Sequence, residues 1–326
     1  MNCAIIQKLQ KTAGRTFDLL GFGECSHDLV YRLPVQLAEP LPDKTSALAH
    51  EVLGGGQIAT ACVAAARLGR RARFAGVIGA DGAGRALVEG LVAEGVDASL
   101  VCCCPGVPTR TAVILCDRAG ERAVIEWRSP KLLPPTDLLR PEDIAAARVL
   151  HVDLGFPEAT LAAAAKAQTL GALVSVDLDQ VTPGAKSLLE KTDLCVVSAR
   201  FPAQLTGCAD ELRAARLLSD YTPGVVVVTR GAQGCLLVCD GDTRKLPAFE
   251  PPALVDTTAC GDTFHAAFVC ALLDAVDGGD TACAAAVFAE AARFASGAAA
   301  LKCRDVGRRG CPRLAEVLSF LSHAPA

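Results

Sequence analysis

Gly224-Val225-Val226-Val227-Val228-Thr229 places four valines in a row between a glycine and a threonine. A β-branched run without alternation reads as a strand buried on both faces, the mark of a parallel sheet covered by helices on either side. Outward from it, short apolar runs at Phe17–Gly23, Arg73–Ile78, Arg148–Val152, Leu173–Asp177 and Asp193–Val197 read as further strands. Amphipathic stretches fall between them, among them GRALVEGLVAEG (84–95), PEATLAAAAKAQTLG (157–171) and GAKSLLEKT (184–192). Strand-then-helix alternation predicts an α/β fold, three layers deep, around a mainly parallel central sheet.

The chain has 326 residues, 51% of them hydrophobic, enough for one large domain around a sizeable core. Lys and Arg total 32 against 36 Asp and Glu, a formal charge of -4 that removes the electrostatic case for a nucleic-acid binder. Aromatics at 4% also speak against stacking platforms for single strands. Sixteen cysteines are scattered from Cys3 to Cys311 without a CxxC pair, and the five histidines form no HxxxH pattern. Neighbours in a strand point to opposite faces, so the contiguous Cys102, Cys103 and Cys104 make no ready chelate. Reduced thiols serving as small core residues are expected. The opening MNCAIIQKLQKTAGR is too short in apolar residues for a signal peptide, and Glu290 and Arg293 break the alanine-rich stretch Thr281–Leu301. No membrane contact is expected, and the cytoplasm is the expected compartment.

Two regions break the strand–helix rhythm. Val30–Leu53 is Pro-rich without a helix pattern, and Thr111–Cys116 with Arg122–Trp127 flanks a DRAGE turn containing Gly120, which reads as a hairpin. Segments at about 30–53 and 110–128 can pair into a small β lid over the mouth where α/β folds bind ligands, or stand as surface excursions.

Three stretches carry chemistry. In Leu254–Leu273, LVDTTACGDTFHAAFVCALL, small residues Thr257 to Gly261 lead into an apolar helix with Asp262 in its first turn. Free amides at a helix start form an anion site, and a carboxylate beside it can take a proton from an attacking hydroxyl. A first-turn acid favoured by the helix dipole is the plainer alternative. In Gly54–Gly84, the triplet Gly54-Gly55-Gly56 opens a helix (Ala59–Leu68) with Gln57 and Thr60 at its start, suited to holding sugar hydroxyls or a phosphate, or simply to turning. The third, GFGECSHDLVY (21–31), has Ser26 at the last glycine position of a dinucleotide fingerprint and no helix after it, which argues against that fold. No GxxxxGK[ST] occurs.

Together the three stretches resemble the ribokinase-like, or PfkB, carbohydrate kinase family, from about Asp18 to Pro312. DTTACGD is similar to the family's DTxGAGD signature, and GGQIAT with ARLG and Gly79 to its amino-terminal GGxxxN signature. The order also matches: a GxxxxD on the first strand (Gly23 to Asp28), the glycine pair, TRGAQG at Thr229–Gly234, then the anion loop. The resemblance implies an ATP-dependent kinase domain over 17–326 behind an N-terminal extension of residues 1–16.

It implies Asp262 as catalytic base, with the amides of Ala259, Cys260 and Gly261 as anion hole. Asp28, Gly55, Gly56, Gln57 and Thr60 match the sugar-binding positions. Thr229, Gly231, Gly234 and Ser296 fall on the nucleotide side, with Ser198 assigned there too. Asp256 is similar to the acid at a monovalent-cation site, K⁺ being the expected ion, and Mg²⁺ accompanies ATP. The resemblance also implies a homodimer through the lid.

Departures point to a subfamily. The NxxE positions that serve the Mg²⁺ and phosphate network are Ser198 and Phe201, and DLCVVSARFPAQLTG looks like the branch containing ketohexokinase and sulfofructose kinase. A ketose or keto-sugar acid is therefore the favoured acceptor. A nucleoside kinase of the same fold and an impaired sugar- or nucleotide-binding protein remain as alternatives. Arg128, at the end of the hairpin, can reach an anionic or polar end of the substrate or stand as a solvated surface charge.

Overall fold

The computed structural model describes residues 2–38, 42–118, 121–279 and 283–323. Gly120 of the hairpin turn, residues 39–41 of the first lid segment and Thr281 lie outside the described residues. Among the described residues, thirteen strands run in chain order: β1 Phe17–Phe22, β2 Ser26–Arg32, β3 Ala49–Gly55, β4 Ala72–Gly79, β5 Asp97–Cys104, β6 Thr111–Cys116, β7 Arg122–Trp127, β8 Ala147–Val152, β9 Leu173–Leu178, β10 Leu194–Ser198, β11 Val225–Thr229, β12 Cys235–Cys239 and β13 Asp242–Leu246. Nine form the main sheet, in the order β13-β12-β11-β10-β9-β8-β1-β4-β5, and four form a second sheet, β3-β2-β6-β7. The main sheet is parallel from β5 through to β11, and only β12 and β13 join antiparallel.

The valine block behaves as its composition demands. Val225 and Val227 face one core layer with Leu194 and Val196, while Val226 and Val228 face the other with Cys195 and Val197. All four valines are fully buried. Each contributes roughly 1.5–3 kcal/mol relative to exposure, which makes this centre of the sheet hard to perturb.

Helix Gln57–Arg67, begun two residues earlier than its sequence suggests, packs with helices Cys260–Asp277 and Ala284–Lys302 on one face. Ala284–Lys302 is long and apolar enough to cross a membrane, but 67% of that window is buried inside the fold, as a core helix is. Residues 2–16 lie against the rest of the fold. They contain helix Asn2–Lys11, which buries Ile5 and Leu9 in the same core. Lys8 Nζ pairs with Asp193 at 2.7 Å, and Arg15 donates to the carbonyls of Ala147 and Leu170, both at 2.7 Å.

The lid differs from its expected place in one respect that matters. Asp28 stands on β2 of the small sheet, not on the first strand of the main one, which ends at Phe22. The chain leaves β1 at the sheet's carboxyl edge and turns at once into the lid, so Asp28 reaches the site from above.

Candidate active site

The carboxyl ends of β9, β10 and β11 deliver Asp177, Ser198 and Thr229 to one edge, with Ser198 opposite Thr229 in register. Such edges are where open α/β sheets bind ligands. Two cavities meet there. The first, about 360 Å³, takes in Asp28, Gly55, Gly56, Gln57, Thr60, Ser198 and Asp262. The second, about 450 Å³, takes in Gly231, Gly234, Cys260, Phe264 and Ser296. Thr229, Thr257, Gly261 and Arg122 line both.

The turn between the cavities is held in an unusual conformation. Ala259 caps helix Cys260–Asp277 at φ 68°, a left-handed value that costs an alanine on the order of 1 kcal/mol. The distortion points amides outward, though not all three that the sequence suggested. The Cys260 N–H is engaged by the Thr257 carbonyl at 3.3 Å within the turn, whereas no acceptor among the described residues takes the amides of Ala259 and Gly261. Asp262 follows, half-buried in the first cavity. Burial pushes its carboxyl up to about 7, against the opposing pull of the Arg122 guanidinium. Beneath it, His265 Nε2 lies 3.2 Å from Asp177 Oδ1. Burial holds His265 and His151 below their ordinary range, so both rings are neutral at pH 7.

Asp28 is buried and accepts a 2.6 Å hydrogen bond from Ser26 Oγ. Desolvation raises its pKa despite that bond and the neighbouring Arg110 and Arg308. The glycines explain how it fits: a Cβ on Gly55 would overlap the Asp28 carboxylate, so the backbone of β3 can pass beneath it only as glycine. Gly56 adds a positive φ of 91° at the start of helix Gln57–Arg67.

Three further assignments change. Arg128 does not line either cavity: its guanidinium is spent on Glu24 at 2.5 Å and the Gly155 carbonyl at 2.9 Å, above the Phe156 ring. Ser198 opens into the Asp28 cavity, not the one holding Ser296, and donates to the Asp179 carbonyl at 3.2 Å. Asp256 is fully occupied. Thr258 donates to its Oδ1 twice, at 2.8 and 2.7 Å, Gly307 N–H donates to Oδ2 at 2.7 Å, and Lys302 Nζ lies 3.4 Å from Oδ2. These residues do not fit a free monovalent cation.

The sequence reading missed Arg110, Arg122, Arg308, Asp177 and Asp179, all lining the first cavity. The signal for two of them was present, in the arginine that follows the hairpin turn and in the run RDVGRRG (304–310). Arg308 is notable because its buried Nη1 has no hydrogen-bond partner and burial lowers its pKa. Phe201, at the former metal-acid position, is fully buried in the core. Asp177 Oδ2, by contrast, is buried without a partner. Together with Asp179 it offers the hard oxygen ligands that a hydrated Mg²⁺ prefers, and these residues fit that ion. No disulfide joins the cysteines whose side chains are described. Cys260 and Cys303 bring their sulfurs to 3.4 Å of each other beside the second cavity.

Comparison with known proteins agrees with this geometry. The sequence profile of the pfkB family carbohydrate kinases matches residues 21–313. The chain belongs to that family, and is a phosphotransferase of the kind that acts on sugar hydroxyl groups. Among curated relatives it is 29% identical to a ribokinase of Haemophilus influenzae, over 84% of this chain and 89% of that protein. It is 27% identical to a nucleoside kinase of Methanothermobacter thermautotrophicus, over 80% and 84% of the two. Fructokinase-1 of Oryza sativa is 30% identical over 79% and 83%. Among solved structures, Arabidopsis thaliana ribokinase complexed with ribose and ATP shares the fold at TM-score 0.80 and 24% identity, covering 95% of this chain and all of that one.

Proposed function

We propose that this chain is an ATP-dependent sugar kinase that transfers the γ-phosphate to a hydroxyl of a small ketose or keto-sugar acid. The observation that carries the reading is the junction: Thr257 and Gly261 of the strained turn line both cavities, and Asp262 follows directly in the first. In this mechanism Asp28, Gly55, Gly56, Gln57 and Thr60 hold the acceptor, and Asp262 takes the proton of its reacting hydroxyl. A carboxylate near 7 is well matched to that task at neutral pH. The alcohol oxygen then forms a bond to the γ-phosphorus as the bond to the bridging oxygen breaks and ADP departs. The amides of Ala259 and Gly261 receive the charge on the phosphoryl oxygens. Cys260 serves through the turn that orients them.

Thr229, Gly231, Gly234 and Ser296 shape the nucleotide side, with Thr229 and Ser198 near the junction. Asp177 and Asp179 would hold Mg²⁺, which when bound neutralises phosphate charge. The lid strands exclude water that would compete as acceptor. Arg308 favours an acidic sugar, because its buried Nη1, without a hydrogen-bond partner among the described residues, is relieved by an anionic group. Apolar residues exposed on the small sheet, Ile125 and Trp127 among them, support pairing of two lids in a homodimer, which light scattering on the purified protein checks.

The test is an ADP-release screen across ketoses, sulfosugars, keto-deoxy sugar acids and nucleosides. Turnover of an acidic or neutral ketose supports the reading. A preference for nucleosides redirects it, and calorimetric binding without turnover of any compound would make the chain a binding protein.

A further inference from the structure

Lys302 ends helix Ala284–Lys302 and is completely buried. A lysine ammonium carries three donors and no acceptor, so burying it is costly unless each donor finds an oxygen. Nζ meets the Asp256 carbonyl at 2.8 Å, the Asp305 carbonyl at 3.0 Å and Asp256 Oδ2 at 3.4 Å. Burial alone would raise the Asp256 carboxyl. The Lys302 ammonium and the amides of Gly307 and Thr258 outweigh that and hold it below its usual range. Two carbonyls and a carboxylate converging on one point are the donor set of a monovalent cation, and here the positive charge arrives on a side chain.

The cage is joined to the reactive turn. The amides of Val255 and Asp256 donate to the carbonyl of Cys303 at 2.8 and 3.2 Å, next to Lys302, and Asp256 in turn accepts from Thr258. Thr257 to Gly261 follow directly. Whatever charge sits in the cage therefore fixes the start of the anion turn.

We propose that Lys302 is the resident cation of this kinase, so that its anion turn is set without K⁺ or any other free monovalent ion. The proposal rests on the kinase reading and names how that site is held together. A second cation cannot share the cage: the oxygens are already used, and like charge at that distance repels.

ATP binding tests this without a known acceptor. The full chain is titrated with Mg·ATP by calorimetry, at constant ionic strength, with K⁺, Na⁺ or tetramethylammonium as the sole monovalent ion. Wild-type affinity is expected to change by less than about twofold between these salts. Lys302→Met empties the cage of charge and is expected to lose about tenfold in ATP affinity in tetramethylammonium, the loss of one charge-assisted contact set. K⁺ should restore it, and should raise the melting midpoint of the variant but not of the wild type. Wild-type binding that strengthens about tenfold in K⁺ overturns the proposal. So does a Lys302→Met protein with normal affinity in every salt. If that variant does not fold, the wild-type salt comparison decides alone. Absence of Mg·ATP binding in every salt would instead strike the kinase reading, and this proposal with it.

Discussion

The two cavities on either side of Asp262 are made of different material. The Asp28 cavity is lined by charge, with Asp28, Asp177, Arg110, Arg122 and Arg308 around Asp262 itself. The Ser296 cavity is lined largely by Gly231, Gly234, Ala248, Ala299, Ala300 and Phe264, small or apolar groups that present shape and backbone. Charge on one side can select and activate an acceptor, while the other side, where Arg122 at the shared rim is the one charged group among the described residues, chiefly accommodates what fits it. Substitutions on the charged side should therefore split turnover and acceptor affinity from ATP affinity. The sharpest break comes from Asp262→Asn, which keeps size and removes basicity. It should lower turnover by about 10²-fold or more while calorimetric ATP binding stays near wild type. The wild-type pH profile sharpens the same point. A base must be deprotonated to work, and burial raises this one to about 7, so kcat/KM should fall about tenfold per pH unit below that value and level off above it. A flat profile from pH 5 to 8, or near-normal Asp262→Asn turnover, would remove Asp262 from the base role.

Gly55→Ala tests the charged side through its backbone. The added Cβ must displace the Asp28 carboxylate, because both cannot occupy the space over β3. Loss of a carboxylate's hydrogen bonds to sugar hydroxyls costs roughly 1.5–3 kcal/mol, so the acceptor KM should rise about 10- to 100-fold with the ATP KM unchanged. Equal rises in both constants would mean that the two cavities are not separable.

How much of this was legible in the sequence follows from what each element must satisfy. The run from Val225 to Val228 announces a strand because it has no solvent face to encode, and β6 and β7 fall where their turn implies, but the equally buried β12, Cys235–Cys239, goes unread. The edge strand β13, Asp242–Leu246, is polar and largely exposed, so no apolar run marks it. The turn Thr257–Gly261 and Asp262 were readable because small residues before an apolar helix form a local pattern. The anion hole reads from sequence with three amides where the turn leaves two, since the bond of the Cys260 N–H to Thr257 is a detail of turn geometry rather than of residue type. Asp28 could be named, but its place on the lid depends on where β1 stops. Pairings across long separations were invisible. Lys302 meets Asp256 across 46 residues, and Arg128 meets Glu24 across 104.

The smallest expected effect comes from that last pair, and it is informative for being small. Arg128 and Arg308 are both arginines near the same mouth, yet one is paired and the other has a buried donor without a partner. Arg308→Ala should raise the KM for an acidic acceptor about tenfold or more and leave a neutral ketose nearly unaffected, since a charge-assisted contact is lost only for the former. Arg128→Ala should change KM for either acceptor by less than about threefold, because its guanidinium is already committed to Glu24. Its cost should fall on the fold instead, at about 0–1 kcal/mol for a partly exposed ion pair, read as a slightly lower denaturant midpoint. If Arg128→Ala weakened acidic acceptors more than Arg308→Ala did, the Glu24 pair would have to open on substrate binding. The anionic end of the acceptor would then lie under the hairpin rather than over Gly54.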